Sequence, residues 1–342
     1  MNYLITGGCG FLGSNLAVDC LRRGHTVTVM DNLSRLGSSA NLQWIRSQGA
    51  CRFVHGDVRN QYEVESVVVS AEPDVIFHLA GQVAMTTSLA SPILDFQTNV
   101  AGTLYVLEAM RKHAPKCAFI YSSTNKVYGD LEQFHYLESH TRYDCVEHPD
   151  GFNEDVGLEF HSPYGCSKGA ADQYVLDYHR MYGLKTLVFR HSSMYGGRQF
   201  STTDQGWIGW FCQKAIDQAS GTDSEPFSIS GNGKQVRDVL HVKDMLQLYD
   251  AAVCSIDNAA GHAFNIGGGI KNSLSLLELF TVLNEQLGIQ LRFFKIDARK
   301  SDQRFFVADI SKAQAMLNWT PQVDTVNGVA SMLKWIKELN DD

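Results

Sequence analysis

Tyr164 precedes Lys168 by one helical turn, so a helix beginning near Pro163 carries both side chains on one face. A phenol beside an ammonium is a proton-transfer device, because the positive charge favours the phenolate and draws its ordinary value of about 10 toward working pH. Taken alone the pair says little: tyrosine and lysine meet at this spacing by chance, and the bland reading is a buried ring and a solvent-facing amine. Two other short runs give it company. Ser122-Ser123-Thr124 closes a strand-like run and offers Thr124 as a hydrogen-bond partner for a reacting oxygen. Gly7, Gly8, Gly10 and Gly13 form a turn of the kind that lets backbone N–H groups approach a pyrophosphate at a helix N-terminus. Together the three runs predict hydride transfer on a dinucleotide, with Tyr164 taking a hydroxyl proton and Lys168 holding the cofactor ribose and biasing the phenol. Ser122 and Ser123 shape the strand end.

These groups need a scaffold that brings strand ends together. Tyr3 to Thr6 reads as a short buried strand feeding a helix from Phe11 to Arg23 that Gly24 closes. A second strand, Thr26 to Met30, delivers Asp31, suited to accept hydrogen bonds from an adenine ribose. That carboxylate favours NAD over NADP, whose 2′-phosphate it would repel, while nearby Arg35 keeps NADP open. Further strands are expected at Arg52 to His55, Val75 to Leu79, Ala118 to Ser122, Thr186 to Arg190 and His262 to Ile266, with helical patterns between most of them. The alternation predicts an α/β fold, a Rossmann-type doubly wound parallel sheet. Aromatic and glycine-rich stretches after Arg190 predict a smaller, interleaved substrate domain. The expected division is 1–190 plus about 236–268 for NAD, and about 191–235 with 269–342 for substrate. Asp130 to Phe160 is polar and poorly periodic, and reads as a surface excursion that is either functional or mobile.

Composition narrows the function. A net charge of −8 argues against nucleic acid as a partner. The chain runs from Met1 straight into the glycine turn, with no leader and no long apolar run, so neither export nor membrane insertion is expected. Eight cysteines without a CxxC pair fit a reduced, cytoplasmic chain. His135, His140, His148, His161, His191 and His241 do not fall at metal-ligand spacings, and no metal is expected.

The series Thr6-Gly7-Gly8-Cys9-Gly10-Phe11-Leu12-Gly13, Asp31-Asn32, Gly56-Asp57-Val58, His78-Leu79-Ala80-Gly81, Asn99, Ser122-Ser123-Thr124, Val127-Tyr128-Gly129 and Tyr164 with Lys168 resembles the extended short-chain dehydrogenase/reductases that epimerise or dehydrate nucleotide sugars. The resemblance spans nearly the whole chain. It implies a catalytic trio of Thr124, Tyr164 and Lys168, and NAD that stays bound and is recycled within each turnover. It places Gly7, Gly10, Phe11, Leu12 and Gly13 at the pyrophosphate; Asp31, Asn32, Ser34 and Arg35 around the adenosine ribose; and Asp57 and Val58 at adenine. Leu79, Ala80, Gly81, Asn99 and Ser122 then wall the nicotinamide with Tyr164 and Lys168, and His191, just past the strand ending at Arg190, faces the cofactor.

Sugar 4,6-dehydratases of this group carry an Asp-Glu pair after the threonine, where this chain has Asn125 and Lys126. Neither can serve as the acid and base of an elimination, which favours epimerisation. Longer matching runs, among them His78 to Ser88, Tyr121 to Gln133, His161 to Gln173 and Phe189 to Gln199, imply a CDP-sugar substrate, a 3,6-dideoxyhexose inverted at C2. C4 epimerisation or net oxidoreduction is the alternative, and a silent NAD-sensing protein a remoter one. The same pattern implies that Arg237 and Arg299 grip the diphosphate and that Asp302 accepts from the nucleotide ribose, a guanidinium being suited to two phosphate oxygens. Ser193, Gln199, Trp207 and Ile229 are candidates to line the sugar or base pocket. Val83 and Met85 would frame the sugar, beside Thr124 and Asn125. A homo-oligomer, a tetramer by resemblance, completes the expectation.

Overall fold

In the computed structural model, which describes residues 1–298 and 302–341, the expected sheet is present. Strands β1 (Asn2–Thr6), β2 (Thr26–Asp31), β3 (Arg52–His55), β4 (Val75–His78) and β5 (Ala118–Thr124) join Lys185–His191 and Ala263–Ile266 in one sheet. The order is Ala263–Ile266, Lys185–His191, β5, β4, β1, β2, β3, and every pairing is parallel.

Strand periodicity explains the two cores. Ile5, Phe77, Ile120 and Phe189 point to one face, where helix α1 (Phe11–Arg22) supplies Leu12, Leu16 and Ala17. Their neighbours Leu4, Ile76, Phe119 and Val188 point to the other, under Val106, Met110 and Val175. Because β1 has β4 on one side and β2 on the other, the order in which strands are added reverses there, and the crevice beyond its carboxyl end opens for a ligand. β5 runs two residues past its expected end because Ser123 and Thr124 pair with Arg190 and His191. The extension brings Thr124 to the sheet edge.

A second sheet is built around Val236–His241, which pairs with Ser193–Tyr195, Ser273–Ser275 and Phe305–Phe306, while Phe227–Ser230 pairs with Phe293–Ile296. Its core contains Ile208, Phe211, Phe280, Leu283 and Met332. Ile229 lies in that same core, 1 % exposed, so it packs the second sheet instead of lining a sugar or base pocket. The excursion from 130 to 160 also departs from a plain surface loop. It carries a hairpin of Tyr136–Glu138 and Tyr143–Cys145, and buries Phe152 completely against Phe305 and Phe306. Phe152 is bonded through its backbone to Val307 and Asp309, which ties the excursion to the second sheet.

Candidate functional site

The glycine turn is built for close approach. Gly7 has φ +67°, and a Cβ there would stand 2.6 Å from the Ala80 nitrogen; one on Gly13 would stand 2.4 Å from the Gly7 carbonyl oxygen. The start of α1 has no side-chain cap and no acid in its first turn, leaving N–H groups and the positive end of the helix dipole to an anion. Two adjoining cavities of about 550 and 350 Å³ meet over this turn. Asp31, Asn32, Ser34, Asp57, Val58 and Ala80 line the larger, and Phe11, Leu12, Gly13, Ser122, Thr124, Tyr164, Lys168 and His191 the smaller. Gly7, Gly10, Arg35, Leu79 and Gly81 line both.

At the larger end, the Asp31 carboxylate accepts from the Cys9 and Leu33 N–H groups at 2.9 and 2.8 Å, which aims it along the rim. Asp57 is gripped by Arg59 and Asn32, and the arginine holds it down to about 2. Arg35 lines both cavities, and its charge acts on Tyr164 and on Asp31. Asn99 is placed differently from the expectation. It accepts from the Gln82 N–H at 2.9 Å and donates to the Gln82 carbonyl and the Ser167 hydroxyl at 3.0 and 2.9 Å, so its amide ties two protein segments together and lines neither cavity.

At the smaller end, the Thr124 hydroxyl faces the Tyr164 phenol closely enough to favour its ionised form. Burial raises Tyr164 to about 12, and Arg35 offsets part of that rise. Lys168 donates to the Ser122 carbonyl at 2.5 Å and lies 4.3 Å from the centroid of the Tyr121 ring. Burial pulls its ammonium down to about 7, against the pull of Asp172 and Asp95. The three side chains therefore sit together on one cavity wall, where a further positive charge would pull the phenol down. His191 meets the Tyr249 hydroxyl through Nε2 at 3.2 Å. Its buried Nδ1, with Gln199 Oε1 and Gln205 Nε2 on the same cavity, finds no partner among the described residues. The glycine cradle, the ribose-facing carboxylate and these unpaired polar atoms fit a dinucleotide that ends in a polar amide ring.

The sugar side is more dispersed. Val83, Ser193, Gln199 and Trp207 line the smaller cavity, with the Trp207 indole donating to the Ser193 hydroxyl at 2.9 Å. Met85 opens the short helix Met85–Ala90 and lines neither cavity. Asn125 is buried and donates to Gln303 at 2.8 Å. Arg237 and Asp302, expected as separate substrate contacts, pair with each other at 2.9 Å. Arg299 lies outside the described residues.

Sequence reasoning missed several groups here. Lys126, read only as a residue unable to eliminate water, is half-buried beside Arg237, and desolvation followed by that like charge lowers it to about 8. Asp172 and Arg190 form a buried pair behind the centre. The segment after Gly197 crosses from the second sheet to the loop after β2, with Phe200 packed where a Gly37 side chain would otherwise lie and Asn41 donating to the Arg198 carbonyl at 3.2 Å. Asp172 had a signal, its i+4 spacing from Lys168; the others depend on residues distant in sequence.

A glycine turn on a parallel sheet, with a threonine, a tyrosine and a buried lysine lining one cavity at its carboxyl edge, defines an extended short-chain dehydrogenase/reductase. The family model described as GDP-mannose 4,6 dehydratase matches residues 4–332, and the chain belongs to that family. It is 58 % identical over 339 residues to the CDP-paratose 2-epimerase of Salmonella typhi, covering 99 % of this chain and 100 % of that one. Among solved structures it resembles the UDP-glucose 4-epimerase of Thermotoga maritima with UDP-glucose, with a TM-score of 0.84, 28 % identity, and 99 % and 100 % of the two chains covered. The UDP-glucuronic acid 4-epimerase of Bacillus cereus, in complex with UDP-glucuronic acid and NAD, has a TM-score of 0.83, 26 % identity and the same coverage.

Proposed function

We propose that the chain is an NAD-dependent epimerase that inverts C2 of a CDP-linked 3,6-dideoxyhexose, converting CDP-paratose to CDP-tyvelose. The observation that carries this reading is a complete Thr124, Tyr164 and Lys168 centre followed by Asn125 and Lys126, in a chain 58 % identical to a CDP-paratose 2-epimerase. The centre supports oxidation and reduction of a carbinol, and no acid–base pair follows the threonine to eliminate water.

When bound, NAD accepts a hydride from the sugar carbon and returns it. The chain's own residues do the rest. Tyr164 takes the C2 hydroxyl proton and gives it back, Thr124 shares that hydrogen bond, and Lys168 supports the phenolate and holds the cofactor ribose. The glycine turn, Asp31 and the lining of both cavities keep the cofactor in place through the turnover. Inversion requires the keto-sugar to present its other face, which the half-apolar wall of Val83 and Trp207 permits because a dideoxy sugar has few hydroxyls to satisfy. Arg237, Asp302 and Arg299 are proposed for the nucleotide diphosphate and ribose, and Lys126 joins them as a second cation beside Arg237.

Residues 1–190 with about 242–268 are proposed to serve the cofactor and the remainder the sugar; the expected boundary at about 236 moves because Val236–His241 is the centre of the second sheet. The chain is proposed to act in the cytoplasm as a homo-oligomer, a tetramer by resemblance; among the described residues no helix is long and apolar enough to cross a membrane.

The test is proton NMR of CDP-paratose with the purified protein in deuterated water without added NAD. Conversion to the C2 epimer with no deuterium at C2 is expected, since the hydride returns directly. Deuterium at C2 would contradict hydride return. No conversion by NAD-loaded protein would move the search to other nucleotide sugars.

A further inference from the structure

The helix Pro92–Phe96 buries a carboxylate that the reaction above does not use. Asp95 has no solvent exposure, and the donors on it are neutral: Gln82 Nε2 at 2.7 Å, the Ser167 hydroxyl, and Asn99 Nδ2 at 3.4 Å. Ser167 is the residue before Lys168, and its hydroxyl also accepts from Asn99 at 2.9 Å. A position built on the end of β4 at one side and on the Tyr164–Lys168 turn at the other therefore converges on Asp95.

Burying a carboxylate without its own cation is costly, so its neighbours should show what the charge serves. The charged and titratable groups facing the Tyr164–Lys168 pair come from every packed element. Asp172, on the same helix, is spent on Arg190 from the strand Lys185–His191. His191 from that strand and His78 from β4 are buried and held neutral. β5 presents the Tyr121 ring and the Ser122 carbonyl, and the loop after β2 presents Arg35 toward Tyr164. Asp95 acts on both Lys168 and Tyr164, and it is the carboxylate among these that has no cation bonded to it among the described residues.

We propose that Asp95 is a positioning residue of the proton-transfer centre: bonded by Ser167 beside the Tyr164–Lys168 turn, it supplies the buried negative charge that keeps Lys168 an ammonium. Without that counterweight, burial would leave Lys168 a neutral amine, which cannot stabilise a phenolate. The inference rests on the reading of Tyr164 as the proton-transfer group, but not on the identity of the sugar.

The test is an ultraviolet difference titration of the Tyr164 phenolate in NAD-loaded protein, each variant measured against its own Tyr164→Phe counterpart. It needs no sugar, so failure of the CDP-paratose assay and failure of this proposal are separate results. Asp95→Asn removes the counterweight, so Lys168 loses its proton and the phenolate loses its cation, and the midpoint should rise by about one pH unit. Ser167→Ala breaks one hydrogen bond but keeps the charge, and should leave the midpoint within a few tenths of a unit. If an amide facing three donors keeps Asp95→Asn from folding, Asp95→Ser removes the same charge without adding a competing NH₂ group, and should give the same shift. A midpoint unchanged or lowered in the folded charge-removal variant, or raised equally by Ser167→Ala, would overturn the proposal.

Discussion

Arg190 grips both carboxylate oxygens of Asp172, Nε and Nη2 each at 2.9 Å, one helical turn beyond Lys168 on the face that carries Tyr164. Ser123 adds a hydrogen bond to Asp172 at 2.8 Å, and the Arg190 Nη1 continues to the Tyr128 hydroxyl at 2.9 Å and thence to Asn265 at 2.7 Å. The pair locks the helix Ser162–Tyr182 against β5 and the strand Lys185–His191. Arg190→Met should destabilise the fold by about 3–5 kcal/mol, since it strands a buried carboxylate. The double variant with Asp172→Asn should recover most of that loss. Urea denaturation measures both, and a loss below about 1 kcal/mol for the single variant would show that the pair is not needed to hold the helix.

Tyr164→Phe keeps the ring and removes the proton carrier. Epimerisation should fall by at least about 10³-fold while NAD content is unchanged. Thr124→Ala should cost less, on the order of 10–100-fold, because water can replace one hydrogen bond. Steady-state rates with nucleotide release after denaturation read both quantities, and near-normal turnover by Tyr164→Phe would remove it from the mechanism.

Lys126→Met should raise the KM for the CDP-sugar about tenfold to a hundredfold with kcat changed little, the loss of one charge-assisted hydrogen bond to phosphate. An unchanged KM would place the ammonium away from the diphosphate.

Gly13→Ala directs a Cβ to 2.4 Å from the Gly7 carbonyl oxygen, backbone that cannot yield without opening the turn. The purified variant should carry little NAD, as measured on the released nucleotide.

His78 makes the fold acid-sensitive. The Thr103 hydroxyl donates to the Asn99 carbonyl at 2.6 Å, so it accepts from His78 Nε2–H at 3.0 Å, while Nδ1 accepts from Thr6 at 2.7 Å. The neutral ring is thus fully satisfied, and burial lowers both His78 and His191 from 6.5 to about 3. Between those values the unfolded chain binds more protons than the folded one, so stability present above pH 6.5 is lost as pH falls, by up to about 1.4 kcal/mol per group per pH unit. The urea midpoint should drop between pH 7 and pH 5; a flat midpoint would contradict the buried neutral rings.

Local spacing by itself determined the parts of this protein that depend on neighbours in the chain. A glycine turn between a strand and a helix needs no distant residue to be a phosphate cradle, and alternating apolar strands between helices leave little but a parallel sheet covered on both faces. Tyr164 and Lys168 share a helix, so their proximity was legible at once. Tertiary structure decided whatever depends on which charges and cavities meet. Ser167 reaches Asp95 across 72 residues, and Asn125 reaches Gln303 across 178, distances over which no spacing rule operates. Ile229 alternates like a pocket residue but is covered by the second core, and Asn99 carries the right amide yet spends it on Gln82 and Ser167. The excursion from 130 to 160 looked like solvent-facing chain because its few buried anchors, Phe152 above all, find their partners near residue 306. Residue type sets what a side chain can do, and only packing sets how much water and charge surround it, which is what the proposed role of Tyr164 and Lys168 as a proton-transfer pair depends on.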